Sequence, residues 1–189
     1  MAVNNLNIQS FCHKEPHWQV ASYKHHSLPQ SLQDWLLDPS SLTEKLLQRA
    51  KGKLRVEVLQ QGVQAARLSE YKALNINTHH WAVVREVILY GNEVPWVYAR
   101  TIIPLSTLKG PLRRLHYLGN KPLGAELFSD PTMRRQSLEL ASIDCDLLPP
   151  TCRKFYPTEH SAWGRRSLFL LKQKPLLVCE FFLEGLLTK

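Results

Sequence analysis

The amino-acid sequence predicts an α+β fold, a single domain in which helices cluster against an antiparallel sheet of about six strands. Strand-like segments occur in pairs separated by short turns, which is typical of antiparallel hairpins. Segments with helical spacing of apolar residues lie early and in the middle of the chain. Several strands are apolar on both faces, so either both faces of the sheet are covered or one face lines an internal cavity.

The first part of the chain is predicted to be an arm that leads into this domain. Residues 1–27 are polar, rich in His and Asn, and without periodicity, so we expect a flexible arm there and a domain over 28–189. Residues 32–37 have the apolar spacing of a helix. Asp38-Pro39 ends this helix, because the residue before a proline avoids the α conformation.

A capping pattern marks the next helix. Ser41 and Glu44 have the spacing of a capping box, so a helix is expected over 42–50. Two shorter helices are predicted further along, over 112–118 and 122–128.

Alternation of polar and apolar residues predicts the strands. Residues 53–60 alternate as a half-exposed strand does, whereas 64–71 fits either a strand or a short helix. The turn Gly91-Asn92-Glu93 separates two long apolar segments and predicts a hairpin. The two strands of this hairpin are 81–91 and 94–103. Further strands are predicted over 132–143, which also tolerates a helix, 162–172 and 174–183. A long loop is expected over 144–160.

Composition is that of a soluble globular protein. The chain has 189 residues, of which 44% are hydrophobic and 21% charged. It lacks both the roughly 20-residue apolar stretch of a membrane helix and the pattern of a secretory signal, so we expect a cytoplasmic protein without membrane insertion. The net charge of +8 attracts anions, but the basic residues are scattered and carry no nucleic-acid signature, so no nucleic-acid partner is expected.

Cysteine and histidine spacing indicates neither a metal nor a cofactor. The four cysteines include no CxxC pair and are most simply thiols in a reducing compartment, although Cys145 and Cys152 could pair under oxidation. His25-His26 and His79-His80 lack metal-ligand spacing to other residues. The chain also lacks a phosphate-binding glycine loop, a dinucleotide fingerprint and a GxSxG motif.

Charged residues interrupt several apolar strands, and these are the candidate functional residues. Glu180 lies in the apolar segment 174–183, and Arg85, Arg100 and Arg165 each share a strand face with apolar residues. Ionised groups are rarely buried unless they are paired. Either these charges form ion pairs such as Arg85–Glu180, or they line a polar pocket. Together on one sheet, they favour the pocket.

An ordered set of short motifs resembles the chorismate lyase (chorismate–pyruvate lyase) family over roughly residues 30–184. The motifs are Asp34-Trp-Leu-Leu37, Ser41-Leu-Thr43, Arg85-Glu86, Ala99-Arg-Thr-Ile-Ile-Pro-Leu-Ser-Thr-Leu108 with Gly110-Pro111, Lys121-Pro-Leu-Gly124, Trp163-Gly-Arg-Arg-Ser167 and Lys174-Pro-Leu-Leu177 with Glu180. The resemblance implies a six-stranded antiparallel sheet and a closed internal site under helical flaps. It also implies conversion of chorismate to 4-hydroxybenzoate and pyruvate without a metal or an organic cofactor, to supply a prenylated quinone such as ubiquinone or plastoquinone.

The same resemblance implies roles for individual residues. Arg85 would bind the ring carboxylate, helped by backbone groups at Leu42 and Leu123, and Glu180 would meet the ring hydroxyl. Arg100 and Arg165 would contact the second carboxylate, on the enolpyruvyl arm. Leu42 stands where the family pattern has methionine, a change that a backbone contact survives. The ring proton would leave either to Glu180 or directly to the enolpyruvyl methylene.

Two other functions fit parts of the sequence. Effector domains of GntR-type transcription regulators have a similar fold and bind small ligands, so a non-catalytic ligand-binding domain is the alternative; the first 27 residues are too few for the winged helix of those regulators. The hypothesis of a basic nucleic-acid-binding protein rests on the net charge alone. We expect a monomer with a small-molecule substrate.

Overall fold

The computed structural model describes residues 15–24, 28–153 and 161–188, and its centre is one antiparallel sheet. The strand order is β1-β5-β6-β7-β4-β3-β2. The strands are β1 (Gln19–Val20), β2 (Leu54–Ala65), β3 (Trp81–Gly91), β4 (Val94–Pro104), β5 (Arg134–Asp144), β6 (Ser161–Leu171) and β7 (Lys174–Phe182). The predicted α+β class is confirmed. The sheet has seven strands rather than six because the two-residue β1 adds to one edge.

The helices lie between the strands in sequence. They are α1 (Ala21–Lys24), α2 (Gln30–Leu36), α3 (Leu42–Arg49), α4 (Leu68–Leu74), α5 (Leu123–Phe128) and α6 (Pro150–Arg153), with 3-10 helices at Gly110–Tyr117, Cys145–Leu147 and Glu184–Leu186. Ser41 caps α3 as predicted, because its Oγ accepts a hydrogen bond from the backbone N–H of Glu44. No helix among the described residues is both long enough and apolar enough to span a membrane.

Two predicted irregular segments contain regular structure. In the predicted arm, Gln19 and Val20 pair with β5, and the Glu15 carboxylate accepts hydrogen bonds from the first N–H groups of α4. The predicted loop 144–160 holds the short 3-10 helix Cys145–Leu147 and then α6, which begins at Pro150, where proline is well tolerated. The rest of the arm (1–14 and 25–27) and of the loop (154–160) lies outside the described residues.

The hairpin β3–β4 contains a bulge that changes which side chains share a face. Its turn residues, Asn92 and Glu93, have positive φ values of 51° and 63°, and Gly91 pairs with Val94. Without a bulge this turn would place Arg85 opposite Arg100. The register shifts between Leu89 and Tyr90 instead, so Arg85 pairs with Thr101 and Glu86 with Arg100. One extra residue in β4 therefore puts Arg85 and Arg100 on opposite faces of the sheet.

Each face of the sheet has its own core. Helices α2, α3 and α5 and the 3-10 helix Gly110–Tyr117 supply buried leucines to one face, where Val87, Ala99 and Val178 lie. Helices α4 and α6 pack on the other face, against Ile88, Tyr98 and Phe181 among others. Both faces are thus covered, which is one of the two arrangements that the two-sided apolar strands predict.

Candidate functional site

A small cavity of about 50 Å³ lies between the sheet and helices α3 and α5. Its floor comes from small or apolar residues of the central strands, among them Val87, Ala99, Thr101 and Val178. Its polar wall consists of Arg85, Arg135, Arg165 and Glu180. The first residues of α3 and α5 cover it, and the two helices touch where Gly124 meets Thr43: a Cβ built at Gly124 would lie 2.3 Å from Thr43 Oγ1.

Arg85 lies at one end of this cavity and has no ion pair with any residue that the structure describes. Its side chain projects from β3 and is 2% exposed. Nη2 donates hydrogen bonds to the backbone carbonyls of Gly119 (2.9 Å) and Lys121 (3.1 Å). Nε is buried and has no hydrogen-bond acceptor among the described residues. Burial lowers the pKa of Arg85, since no anion offsets the desolvation of its guanidinium.

Glu180 lies on the same cavity wall but pairs with another arginine. Because the β6–β7 hairpin pairs Arg165 with Glu180, both side chains point to the cavity face. Arg165 Nε donates to Glu180 Oε2 at 2.6 Å, and Arg165 Nη1 donates to the carbonyls of Trp35 and Asp38, both at 2.8 Å. The sequence prediction that Arg85 and Glu180 share a pocket agrees with this geometry, whereas the alternative of an Arg85–Glu180 ion pair does not.

Arg135 is a cavity residue that the sequence interpretation missed. Its Nε donates to Ser167 Oγ at 2.9 Å, and its Nη1 donates to the carbonyls of Pro39 (2.8 Å) and Asp38 (3.3 Å). Residues 132–143 fit either a strand or a helix from sequence, so the sequence does not predict which face this side chain is on. The register shift between Arg135 and Leu138 also removes the simple alternation that would have assigned it.

Leu42 and Leu123 lie at corresponding places on the two covering helices. Each is the first residue of its helix, α3 or α5, and both line the cavity. The first N–H groups of a helix have no acceptor within that helix. Both helices therefore bring backbone donors, and the positive end of a helix dipole, to the side of the cavity opposite the sheet.

Arg100, expected from sequence among the site residues, lies on the other face of the sheet. Its Nε and Nη2 donate to the two carboxylate oxygens of Glu70 at 2.7 and 3.0 Å, and its Nη1 donates to Glu86 at 2.6 Å. All three side chains are buried. The bulge in β4 therefore places Arg100 in a buried ion-pair cluster instead of the cavity.

Comparison with known proteins agrees with the resemblance drawn from the motifs. The family model described as chorismate lyase matches residues 13–189. The chain belongs to the chorismate lyase family. It is 37% identical to a probable chorismate pyruvate-lyase of Methylococcus capsulatus, over 83% of this chain and 97% of that protein. It is 38% identical to a protein of the same description from Pseudomonas aeruginosa, over 85% of this chain and 87% of the relative.

Solved structures of GntR regulators share the fold of this chorismate lyase family member at low sequence identity. PhnF from Mycobacterium smegmatis superposes with a TM-score of 0.56 at 15% identity, covering 80% of this chain and 67% of that chain. A GntR-family transcriptional regulator from Bacillus cereus gives a TM-score of 0.53 at 8% identity, covering 70% and 92%. These likenesses extend to the fold alone.

The cavity wall is suited to binding an anion. Within the described part of the chain, the ionised side chains of its lining are three arginines and one glutamate, a net charge of +2. Among the same residues, no group of three or more His, Cys, Asp or Glu is placed to hold a metal ion. The donors in the cavity are guanidinium and backbone N–H groups, which match carboxylates.

Proposed function

We propose that this chain is a chorismate–pyruvate lyase that converts chorismate to 4-hydroxybenzoate and pyruvate, without a metal or an organic cofactor. Arg85 is the observation that carries the proposal: a buried, charged side chain whose Nε has no acceptor among the described residues, at the edge of a cavity. Burying such a charge is unfavourable unless an anion binds it. A carboxylate that accepts from Arg85 would supply both the missing charge and the missing acceptor.

The other cavity residues fit the rest of the substrate. With the ring carboxylate on Arg85 and on the N–H groups of Leu42 and Leu123, the opposite end of the ring points across Thr101 and Ala99 toward Glu180. Glu180 then accepts a hydrogen bond from the ring hydroxyl. Arg165 holds the Glu180 carboxylate by its 2.6 Å bond, so its charge is already balanced by Glu180.

The reaction requires little beyond binding and orientation. The C–O bond to the enolpyruvyl group breaks, the bonding electrons leave with enolpyruvate, and the ring loses the proton beside the hydroxyl and becomes aromatic. Enolpyruvate gains a proton at its methylene carbon and becomes pyruvate. Arginines in a cavity shielded from water stabilise the carboxylates and the departing oxygen, which lowers the barrier electrostatically.

The covering helices α3 and α5 limit access to the cavity. The cavity volume of about 50 Å³ is below the roughly 150 Å³ of an engineered protein cavity that binds benzene. We therefore expect α3 and α5 to move apart when substrate enters, and a product held under them to leave slowly. A burst of product in a rapid-mixing experiment is expected, and linear formation from the first turnover would contradict slow release.

The deciding experiment follows 4-hydroxybenzoate by absorbance after purified protein is mixed with chorismate. Wild-type protein should turn over, and Arg85→Ala should lose most of kcat/KM while it stays folded. A protein of this fold that only senses ligands would bind chorismate without converting it. Arg134→Ala is the matched control, since Arg134 on the same sheet is exposed and donates to the neighbouring carbonyls of Pro131 and Met133. Full activity in Arg85→Ala would refute the assigned site.

Glu180→Gln separates the two routes for the ring proton. Glutamine keeps the size and hydrogen-bonding capacity of the side chain but cannot take a proton. A loss of roughly 10²–10⁴-fold in kcat indicates that Glu180 is the base. A loss below about tenfold indicates transfer within the substrate to the enolpyruvyl methylene.

The biological setting is proposed along with the activity. The product would supply the ring of a prenylated quinone, ubiquinone or plastoquinone, and the enzyme would act in the cytoplasm as a monomer. Quantifying cellular quinones in a strain that lacks the gene tests the pathway: the quinone pool should fall and recover with added 4-hydroxybenzoate.

A further inference from the structure

Arg135 is a second cavity arginine with no ion pair among the described residues. Three of its hydrogen bonds go to neutral oxygens: Ser167 Oγ and the carbonyls of Pro39 and Asp38. Arg165, by contrast, is already paired with Glu180. The wall therefore carries two positive charges without a paired carboxylate among the described residues, on Arg85 and Arg135, and the Arg165–Glu180 pair adds no net charge.

The two uncompensated arginines stand at opposite ends of the cavity floor. Strand pairing aligns Arg85 with Thr101, Thr101 with Val178, and Val178 with Ser167 in one row across the sheet. Three strand spacings, about 14 Å, separate the backbones of Arg85 and Ser167. Because Ser167 Oγ holds the Arg135 guanidinium at 2.9 Å, that charge lies above the far end of the row. The floor between the two ends is small or apolar, as a ring requires.

We propose that Arg135, positioned by Ser167, is the residue that binds the second carboxylate of the substrate and so selects a dicarboxylate over a monocarboxylate. This rests on the proposed function. The net charge of +2 equals the charge of a dianion such as chorismate, whereas each product carries one carboxylate. Cleavage of the C–O bond places one carboxylate in each product, the ring carboxylate on Arg85 and the enolpyruvyl carboxylate on Arg135.

Arg135 also contacts the segment over the cavity that joins α2 to α3. Its Nη1 bonds to the carbonyls of Asp38 and Pro39, in the segment that joins α2 to α3. An anion bound to Arg135 would therefore lie beside this segment, whose Ser40 lines the cavity. Burial lowers the pKa of Arg135 to about 10, with the charge of Arg165 acting in the same direction and Glu180 and Asp38 opposing it, so the side chain is still cationic at neutral pH.

Binding measurements without turnover test this selection. The probes are 4-hydroxybenzoate, a monocarboxylate, and 3-(carboxymethoxy)benzoate, a stable aromatic dicarboxylate with the ether arm at the substrate's position. Calorimetric titration of Arg135→Gln should show the dicarboxylate bound at least tenfold more weakly, because a charge-assisted bond is lost, while 4-hydroxybenzoate changes by less than about threefold. Arg135→Lys should restore part of the dicarboxylate affinity.

Two further variants serve as controls. Arg134→Gln, the exposed neighbour, should change neither affinity. Ser167→Ala should raise KM for chorismate with little effect on kcat, as expected of a positioning residue. If Arg135→Gln weakens both probes equally, or neither, the selection is refuted. Wild-type protein that binds the dicarboxylate but does not convert chorismate would refute the proposed lyase activity and leave the role of Arg135 in place.

Discussion

Replacing Arg85 and Arg100 by methionine is expected to give opposite results for stability and ligand binding. Both are buried arginines on neighbouring central strands, and methionine fills a similar volume without charge. The bulge in β4 places them on opposite faces, so their partners differ. Arg100 holds two carboxylates, whereas Arg85 has none within ion-pair distance among the described residues.

The hydrogen bonds set the expected magnitudes. Arg100→Met removes three bonds to Glu70 and Glu86 and leaves two buried carboxylates without a cation, which costs about 3–5 kcal/mol of the free energy of unfolding. Arg85→Met removes two bonds to backbone carbonyls, at about 1 kcal/mol each, but it also relieves an uncompensated buried charge. The unfolding free energy of Arg85→Met should thus stay within about 2 kcal/mol of wild type, or rise.

For ligand affinity the order of the two variants is reversed: Arg85→Met should lose more affinity than Arg100→Met. A ligand carboxylate on Arg85 makes at least one charge-assisted hydrogen bond, about 1.5–3 kcal/mol, so Arg85→Met should weaken 4-hydroxybenzoate binding by roughly 10- to 150-fold. Urea denaturation and calorimetric titration measure both quantities. If Arg85→Met is destabilised as much as Arg100→Met and still binds 4-hydroxybenzoate normally, Arg85 is a structural residue and the assigned site is wrong.

Three other predictions concern the cover, acid stability and thiol reactivity. Gly124→Ala should force α3 and α5 apart and weaken 4-hydroxybenzoate binding about 5- to 100-fold by calorimetry. Gly62→Ala is the control, because a Cβ there would have no atom of the described residues within 4 Å; equal affinities of the two variants would contradict the contact. Burial raises the pKa of Asp38, but its hydrogen bond from Lys45 outweighs this and holds that pKa well below its usual range. The resulting stabilisation is complete above about pH 4 and is lost on further acidification. Melting temperatures measured from pH 7 to pH 2 should therefore fall less steeply in Lys45→Met than in wild type. Parallel curves of melting temperature against pH would refute this. Burial raises the pKa of Cys179, so a thiol reagent at pH 8 should label it only after unfolding, and rapid labelling of native protein would contradict its burial.

The sequence predicts the site residues correctly only where it also predicts the strand register. Most strands and helices followed from alternation, turn residues and capping, because these signals are local. Register also follows locally where a tight turn joins two strands without a bulge. The turn at Lys172 and Gln173 leads directly to the pairing of Arg165 with Glu180, so this contact was within reach of the sequence.

The errors arose where an extra residue changed the register. Alternation along one strand does not reveal the face of the next strand, so the sequence alone predicts Arg100 in the site. The bulge in β4 has no marker apart from Trp96, whose ring fills the space above Gly91. Arg135 was missed for the same reason on β5. The bonds from Arg85 and Arg165 to backbone carbonyls of the covering segments have no signature in the sequence, since carbonyl acceptors are common to all residues.

The most direct test of the account is a structure of the protein with 4-hydroxybenzoate bound. The ligand carboxylate should lie within hydrogen-bond distance of Arg85 Nε, with the phenol oxygen near Glu180 and the ring over Thr101. A carboxylate on the Arg165–Glu180 side, or a ligand bound outside the space between the sheet and helices α3 and α5, would contradict it.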